Sequence, residues 1–306
     1  MKAAFIRQYG GPEVIEYGDL PDPVARPDQV VVDVHATSVN GADWKVRLGQ
    51  YKQTTFPIVL GRDFSGVVSA VGSDVQDLKV GDAVFAVLPA GQEGANAEKI
   101  ALPAAVVSKK PDGLSHVEAA ALALTGLTAL SSVEDTLKLQ RGETILIQGG
   151  AGGVASFAIQ LAKHIGAKVI TTTSAANRDY VKSLGADEVI DYNTTDFTTA
   201  VSGVDAVFET VGGDVAERSF TVLRPGGRAA FIASGPQAPK PSRPDVTALR
   251  PPVGRARKPL ERIAELHQAG AIRVPEIRLY DLSQAADAHR VSEGRHFRGK
   301  LVFKVR

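Results

Sequence analysis

The amino-acid sequence predicts an α/β protein in which a compact β domain precedes a doubly wound parallel sheet. Up to about Asp112, the chain consists of short runs rich in Val, Gly and Pro, which is typical of short strands joined by turns. From Thr144 onward, apolar strands alternate with helical segments, and this alternation indicates a parallel sheet covered by helices on both faces. A glycine-rich turn at residues 150–155 joins the first strand of that alternation to its first helix.

The first part of the chain contains three clear strand signals. Residues 29–35, 66–71 and 83–87 are apolar and rich in β-branched side chains, and turn signals at 72–74 and 81–82 separate them. Runs of this length bounded by Gly, Ser and Asp predict strands.

A capping box marks the start of the second part. Ser115 and Glu118 have the spacing at which the serine accepts from an early helix N–H and the glutamate reaches back. After an Ala/Leu-rich helix, apolar residues recur at helical spacing over 154–165, and Gly166 ends that helix. The strands of the parallel sheet are predicted at 144–148, 168–173, 189–190, 205–210 and 229–233.

The C-terminal part begins with a Pro-rich stretch at 236–244, which predicts an exposed loop. A short strand at 247–250 and a helix at 259–269 follow. Residues 299–305 alternate as a half-buried strand does, and we expect this strand to return to the first domain. The predicted division of the chain is therefore 1–114, 115–254 and 255–306.

Composition excludes several classes of function. The chain has 306 residues, a formal net charge of +1 and no cysteine. Disulfides, thiolate nucleophiles, iron–sulfur clusters and cysteine-ligated zinc are therefore excluded, and no overall positive field attracts nucleic acid or an anionic membrane. We find no signal peptide and no uninterrupted apolar span of transmembrane length, so we expect a cytoplasmic protein.

The glycine-rich turn is the strongest motif. Its residues are Gly150, Ala151, Gly152, Gly153, Val154 and Ala155. In the context strand–turn–helix, Gly150 permits the tight turn, Gly152 lets the backbone approach a diphosphate, and Ala155 permits close packing of helix and strand. The helix N-terminus then offers N–H groups to phosphates, which predicts a Rossmann-type dinucleotide site.

The end of the second strand favours NADPH over NADH. An NAD site places Asp or Glu there to bind the ribose 2′-hydroxyl, whereas this strand ends at Thr173 and Ser174. Asn177 and Arg178 follow, and Ser174 and Arg178 are able to donate to a 2′-phosphate. A solvated surface charge is the alternative explanation for Arg178.

Several segments together resemble the medium-chain dehydrogenase/reductase superfamily. The resemblance implies a GroES-like β domain that binds substrate, a Rossmann domain that binds the cofactor, and a C-terminal return to the first domain. The segments that carry it are 61–68, 80–84, 184–187, 208–213 and 298–300.

The chain departs from the zinc-dependent members of that superfamily. Those proteins have a Gly-His-Glu segment and cysteine ligands, whereas this sequence has Gly61-Arg62-Asp63 and no cysteine. A cationic arginine is not a metal ligand. We therefore predict that the protein binds no metal.

The stretch from Asn40 to Lys45, with Gly49 and Tyr51, resembles the quinone oxidoreductase branch and its enone-reducing relatives. That resemblance implies that Asn40 and Tyr51 line the substrate pocket. It also implies a 2′-phosphate site near Ser174, Arg178, Tyr192 and Arg295, with Thr125, Val211 and Ser234 near the nicotinamide.

This reading gives a hypothesis for catalysis. When a hydride adds to a quinone or an enone, the oxygen that becomes negative needs hydrogen-bond donors. We assign this role to Tyr51, with Asn40 orienting the carbonyl and Lys45 as a further donor. The alternatives are that Asn40 satisfies backbone groups at a strand end, and that Tyr51 contributes apolar area only. Water as the proton source is also open.

Three rival functions stay open. The first is an NADPH-binding redox sensor or interaction protein without turnover, for which a basic stripe with exposed aromatics would be the sign. The cluster Arg250, Arg255, Arg257 and Lys258 has no such aromatics and is interpreted as a solvated loop. The second is an enoyl-thioester reductase. The third, a zinc alcohol dehydrogenase, would be considered again only if bound metal were found. A homodimer joined at edge strands is a further expectation.

Overall fold

A computed structural model describes residues 1–51, 55–235 and 237–306. Its contacts divide the chain into two compact units. Unit 1 comprises Met1–Leu124, Arg255–Gln268 and Val274–Arg306, and unit 2 comprises Thr125–Gly254 and Ala269–Arg273. Pro236, where the Pro-rich loop is predicted to begin, lies outside the described residues.

Unit 1 is built mainly from consecutive short strands, whereas strands and helices alternate in unit 2. Unit 1 begins with β1 Lys2–Ile6, β2 Ile15–Asp19, β3 Gln29–Val39, α1 Gly41–Arg47, β4 Ile58–Val59, β5 Asp63–Val71, β6 Ala83–Val87, β7 Lys99–Pro103, β8 Val107–Lys109 and α2 His116–Leu130. Unit 2 continues with β9 Thr144–Ile147, α3 Gly153–Ile165, β10 Lys168–Thr173, α4 Arg178–Ser183, β11 Glu188–Asp191, α5 Phe197–Ala200, β12 Val204–Glu209, α6 Asp214–Arg218, β13 Leu223–Phe231 and β14 Thr247–Leu249. The return consists of α7 Arg257–Gln268, β15 Ile277–Asp281, α8 Ala285–Gly294 and β16 Lys300–Lys304.

The sequence placed the boundary after residue 114, whereas α2 belongs to unit 1 as far as Leu124. The reason is packing, because Ala120 and Ala121 of α2 are buried against Ala36 and Val302. Within the predicted return, residues 269–273 belong to unit 2.

The sheet of unit 2 confirms the predicted doubly wound fold. Its strands run in the order β11-β10-β9-β12-β13-β14, and every pair is parallel. Counted along the chain, this is the order 3-2-1-4-5-6 of a Rossmann sheet, whose ligand site lies where the strand order reverses. The reversal falls between β9 and β12, so the loops after these two strands frame the candidate cofactor site.

Unit 1 is mainly β and receives the C-terminal strand as predicted. Its larger sheet has the order β15-β16-β3-β5-β6-β8, with β7 also paired to β3. β16 pairs with β3 in antiparallel register, with Leu301 opposite Val39, and with β15 in parallel.

The expectation that this last strand is half-buried is wrong. Residues 300–303 are all buried, because both faces of β16 are covered. Leu301 and Phe303 pack into one apolar cluster with Val39 and Ala285. Val302 on the opposite face packs against the alanines of α2.

Helix α2 begins with the predicted capping box. The backbone N–H of Ser115 donates to Glu118 Oε2 at 2.8 Å, and the Glu118 N–H donates to Ser115 Oγ at 3.2 Å. With its continuation, the helix spans His116–Thr136 and is long and apolar enough to cross a membrane, contrary to the expectation from sequence. Because 78% of the most apolar stretch of this helix is buried inside the protein, we interpret it as a helix of the hydrophobic core.

The burial of β16 predicts a contrast between two substitutions in one strand. Leu301→Ala removes a fully buried side chain and is expected to lower the free energy of unfolding by about 2–5 kcal/mol. Lys304→Ala changes an exposed position and is expected to alter it by less than about 0.5 kcal/mol. Urea unfolding measures both, and equal losses would contradict the register described here.

Candidate active site and cofactor-binding turn

The turn between β9 and α3 has the backbone that a nucleotide site requires, with one correction to its glycines. The left-handed conformation falls on Gly149, with φ +71°, rather than on Gly150. Gly150 is required for a different reason, since a Cβ there would approach Thr171 Oγ1 of β10 to 2.2 Å. The turn therefore packs directly on the neighbouring strand.

The start of α3 presents unsatisfied donors. Its N-cap is Gly152, and no side chain caps it, so the first N–H groups at Gly153 and Val154 have no intrahelical acceptor. Just before the turn, Gln148 Oε1 accepts from Thr172 Oγ1 at 2.7 Å. The buried Nε2 of Gln148 has no partner in the described part of the chain. This arrangement fits the diphosphate of a dinucleotide, and Gln148 is a candidate that sequence reasoning missed.

The loop after β12 lies beside this turn. Thr210 Oγ1 donates to the carbonyl oxygen of Gln148 at 2.8 Å. Buried Glu209 accepts from the backbone N–H groups of Val211 and Gly212 at 2.6 and 2.7 Å. These bonds hold Val211 at the strand reversal, where the family resemblance places the nicotinamide side.

The remaining residues assigned to the nicotinamide side also belong to unit 2. Ser234 Oγ donates to the Gln237 carbonyl oxygen at 3.4 Å. Thr125 is buried within α2. Their role in cofactor binding stays a prediction.

Most of the residues predicted to hold a 2′-phosphate belong to unit 2. Thr173 of β10 pairs with Asp191 of β11, so Ser174 and Tyr192 follow adjacent strands at the same sheet edge. Asn177 Nδ2 donates to Ser174 Oγ at 3.2 Å. The exposed side chain of Arg178 begins α4 nearby.

Arg295, the fourth residue of that predicted group, belongs to unit 1. It has φ +57° at the end of α8, and its Cζ lies 5.4 Å from the ring centroid of Trp44. Lys45 Nζ lies 5.5 Å from the same centroid. Trp44 itself is buried, so the tryptophan is a packing residue with two cations near its ring.

In unit 1, Asn40 and Tyr51 differ in their surroundings. Tyr51 is 38% exposed. Asn40 is 8% exposed and directly precedes α1. Its Oδ1 accepts from Lys300 Nζ at 2.6 Å, and its Nδ2 donates to Asp63 Oδ1 at 3.0 Å and to the Ser38 carbonyl at 3.3 Å.

These bonds fix the orientation of the Asn40 amide, since one end meets a cation and the other a carboxylate. Lys300 is buried and also donates to the Val39 carbonyl at 2.7 Å. Burial lowers the pKa of Lys300, although Asp63 and Asp43 act in the opposite direction. Because each polar atom of the Asn40 side chain is engaged within the chain, its predicted contact with substrate stays a prediction.

Beside Asn40 lies a charged cluster that sequence reasoning did not assemble, formed by Arg62, Asp43 and Glu93. Arg62 Nε donates to Glu93 Oε1 at 2.6 Å and lies 3.9 Å from Asp43 Oδ1. The Glu93 side chain is only 4% exposed, and that of Asp43 is fully buried. The Arg62 Cζ lies 5.6 Å from the ring centroid of Tyr51.

The backbone brings these distant residues together. Gly61, with φ +92°, would place a Cβ 2.2 Å from Asn96 Oδ1, so only glycine fits before Arg62. The Gly61 carbonyl accepts from the N–H of Gly94 at 3.0 Å, which sets Glu93 beside Arg62. Asp43 is held by the N–H of Asn40, which donates to its Oδ2 at 2.8 Å.

Burial shifts the proton affinity of both carboxyl groups. Burial, followed by the charge of Asp43, raises the pKa of Glu93 from 4.5 to about 8, although Arg62 acts in the opposite direction. Burial likewise raises the pKa of Asp43 from 3.8 to about 6, with Arg62 opposing. The single guanidinium of Arg62 is shared by the two buried carboxyl groups. Glu93 and Asp43 together therefore retain one proton near neutral pH, mainly on Glu93.

The basic cluster near residue 255 is not the solvated loop expected from sequence. Arg255 is half-buried, and burial, followed by the charge of Arg62, lowers the pKa of its guanidinium. Arg257 pairs with Asp77 and donates to the Ala104 carbonyl at 2.6 Å. Arg250 donates to the Phe231 carbonyl at 2.6 Å. Arg250 and Arg257 therefore bond within the chain, whereas Lys258 is exposed.

The described residues contain no group of three or more His, Asp or Glu side chains placed to hold a metal ion. At Arg62, the donor chemistry is also unsuitable, because a guanidinium has no lone pair to offer a cation.

A Rossmann sheet with an uncapped glycine turn, in a chain that also carries a mainly-β unit, defines a dinucleotide-dependent dehydrogenase or reductase. Two family models match this chain. The model described as an alcohol dehydrogenase GroES-like domain matches residues 26–112, and the one described as a zinc-binding dehydrogenase matches residues 184–303.

Similar proteins indicate more closely which kind of oxidoreductase family the chain resembles. A quinone oxidoreductase structure from Coxiella burnetii is 36% identical and covers 100% of this chain and 99% of its own, with a TM-score of 0.94. An NADPH-dependent alkenal/one oxidoreductase of Arabidopsis thaliana is 34% identical over 99% of this chain and 79% of its own length. A 2-methylene-furan-3-one reductase of Solanum lycopersicum is 38% identical over 78% of this chain, which spans 64% of that relative.

The chain belongs to the zinc-free quinone oxidoreductase branch of the medium-chain dehydrogenase/reductase superfamily. The resemblance inferred from the sequence is thereby confirmed, and the cofactor is of the NAD(P)H type.

The raised pKa of Glu93 predicts an unusual dependence of stability on pH. Between about 4.5 and about 8, the folded state keeps a proton that the unfolded chain has released, so this group lowers stability as pH rises. Glu93→Gln removes the effect. The variant is expected to gain stability relative to the parent by at most about 1.4 kcal/mol per pH unit across that window.

Urea unfolding of the parent and the variant at several pH values measures this difference. Glu13→Gln, which removes an exposed carboxylate, is the control and is expected to give a flat difference. A flat difference for Glu93→Gln as well would contradict the buried, proton-holding carboxyl described here.

Proposed function

We propose that this chain is a metal-independent reductase that delivers a hydride from NADPH to quinones or small α,β-unsaturated carbonyl compounds. The observation that carries the proposal is the guanidinium of Arg62, gripped by Glu93 at 2.6 Å. It stands in the Gly61–Asp63 segment, where zinc-dependent relatives have a histidine ligand. Since this group donates hydrogen bonds and binds no metal, negative charge on the substrate has to be stabilised by donors.

The named activities of the relatives support this substrate class. Their names refer to a quinone, an alkenal or enone, and a conjugated furanone. All three are carbonyl compounds whose oxygen gains negative charge when a hydride adds at the conjugated position.

NADPH is the proposed form of the cofactor. No carboxylate stands at the end of β10, and the carboxylate of Asp191, the last residue of β11, accepts from the N–H of Asn193 at 3.0 Å. Ser174, Tyr192 and exposed Arg178 then offer donors to a 2′-phosphate. Gly150, Ala151, Gly152, Gly153 and Val154 hold the diphosphate in the same proposal.

The protein's part in the reaction is to bind, orient and stabilise charge. The bound cofactor supplies the hydride. Tyr51 donates a hydrogen bond to the substrate oxygen, Lys45 is a further donor, and Asn40 orients the carbonyl. Much of the rate acceleration then comes from holding the acceptor in a reactive orientation.

A homodimer and a cytoplasmic location belong to the same proposal. β14 lies at the edge of the unit 2 sheet and is three residues long. Flanking prolines keep such an edge short, so pairing of two copies there would be limited in length.

The proposed function is tested by following NADPH oxidation with a panel of benzoquinone, naphthoquinones, short enones and crotonyl-CoA, with NADH in parallel. We expect turnover of quinones or enones and a preference for NADPH. Tight NADPH binding without turnover of any acceptor would instead favour a sensor, and turnover of crotonyl-CoA alone would favour an enoyl-thioester reductase.

The same assay tests the 2′-phosphate site. Arg178→Gln is expected to raise the KM for NADPH about 10-fold, because a charge-assisted contact contributes about 1.5–3 kcal/mol, and to leave the KM for NADH unchanged. Arg141→Gln is the control, since this exposed arginine precedes β9 at the opposite end of the sheet. An equal effect on both cofactors would contradict the assignment.

The role of Tyr51 is tested by Tyr51→Phe, which keeps the ring and removes the hydroxyl. If the hydroxyl donates to the substrate, kcat with an enone is expected to fall about 100-fold while NADPH binding is retained. Tyr17→Phe, at an exposed tyrosine of β2, is the matched control. Nearly full turnover by Tyr51→Phe would leave Tyr51 as an apolar contact only.

A further inference from the structure

The guanidinium of Arg62 is held at one end and open at the other. Its Nε is bound to Glu93 and faces Asp43. Its Cζ lies 5.6 Å from the ring centroid of Tyr51. Its two terminal nitrogens make no hydrogen bond to any residue that the structure describes, and the side chain is 18% exposed. The two terminal nitrogens are therefore available as donors close to the aromatic ring of the proposed substrate site.

The contacts of Arg62 with Glu93 and Asp43 restrict the positions of its terminal nitrogens. Asp43 is itself fixed by the Asn40 N–H at 2.8 Å, and Glu93 is fixed by the backbone bond between Gly94 and Gly61. A guanidinium is planar, so holding Nε sets the directions of both terminal N–H groups. This is the preorganisation that charge stabilisation requires, because the donors need not reorient when negative charge forms.

The charge balance of the surrounding cluster favours an added negative charge. Its cationic groups are Arg62, Arg255 and Lys300, and its carboxyl groups are Asp43, Asp63 and Glu93. Burial raises the pKa of Glu93 to about 8, so near neutral pH this carboxyl group opposes an added negative charge less than an ionised carboxylate would. Arg255 adds two buried nitrogens, Nε and NH1, that have no partner in the described ranges.

We propose that Arg62 is a catalytic residue whose terminal N–H groups bind the carbonyl oxygen of the quinone or enone and stabilise the oxyanion formed during reduction. Arg255 contributes positive charge to the same oxygen subsite, and Glu93 is a positioning residue that holds Arg62. This inference rests on the proposed function and identifies the group that replaces a metal ion as the electrophile.

The step balances without any further reactant. A hydride, which is one proton with two electrons, forms a C–H bond at the β-carbon of the enone. The C=C electron pair moves toward the carbonyl, whose oxygen becomes an enolate oxyanion bound by Arg62. A proton from solvent then adds at the α-carbon, so each enone gains one hydride and one proton while NADPH is oxidised to NADP⁺. A quinone becomes a hydroquinone by the same count.

A binding experiment tests the subsite without turnover. The probe is 4-nitrophenol, a redox-inert phenol whose yellow phenolate resembles the oxyanion, titrated against pH with the full chain saturated in NADP⁺. In the parent protein, we expect the bound probe to ionise at a lower pH than the free probe. In Arg62→Gln, the ionisation is expected to return at least about one pH unit toward the free value, which corresponds to a 10-fold loss of phenolate stabilisation.

Matched variants separate this role from a structural one. Arg7→Gln is the control, because Arg7 is also paired with a glutamate, Glu16, and also lies over a ring, with its Cζ 5.1 Å from the Phe5 centroid. It is expected to behave as the parent. Arg62→Lys retains the charge but loses the planar pair of donors, and an intermediate shift is expected. Unchanged NADPH binding shows that each variant is folded.

Kinetics supply the second readout. Arg62→Gln is expected to lower kcat/KM for the best acceptor about 100-fold, with the KM for NADPH unchanged. Parent-like ionisation of nitrophenol in Arg62→Gln, or failure of the parent to bind the probe, would overturn the inference. If the parent turns over quinones and Arg62→Gln matches it, only the inference fails. If the parent turns over no acceptor, the proposed function fails, and the titration still decides the subsite.

Discussion

The buried carboxylate of Asp63 is the interaction on which unit 1 depends. It accepts from Ser38 Oγ at 2.7 Å, from Asn40 Nδ2 at 3.0 Å and from the backbone N–H of Leu124 at 3.2 Å. These partners come from β3, from the N-cap of α1 and from α2, and Lys300 of β16 joins through Asn40. One carboxylate on β5 therefore fixes the positions of four other segments, including those that carry the proposed substrate residues.

Close to Asp63, the fold buries a second group of charged side chains. Stability alone does not explain why they are buried. Taking two carboxyl groups and two guanidinium groups out of water carries a large desolvation cost, which pairing only partly offsets. The pKa of Glu93, which burial raises to about 8, reflects that cost. Sites with strongly shifted carboxyl groups are often functional, and here the cluster adjoins the exposed ring of Tyr51. The proposed oxygen-binding group, Arg62, therefore belongs to a cluster in which buried charges are only partly compensated.

Much of the fold could be predicted from the sequence, because local patterns determine it. β10 matches the prediction at both ends, and the capping box at Ser115 is formed as expected, since propensity, spacing and capping agree at these positions. Burial of β16 was not predictable, because its second face is covered by α2, which lies far away in the chain. The sequence identified Arg62 as a departure from the zinc pattern, but Glu93 is 31 residues away and belongs to no motif.

The central claim is that a gripped guanidinium stabilises the substrate oxygen, and the most direct measurement is a crystal structure of the chain with NADP⁺ and 4-nitrophenolate. We predict that the phenolate oxygen lies about 2.7–3.2 Å from a terminal nitrogen of Arg62, with Nε still bound to Glu93. A phenolate oxygen held by other donors, with Arg62 more than about 5 Å away and out of hydrogen-bond range, would contradict it.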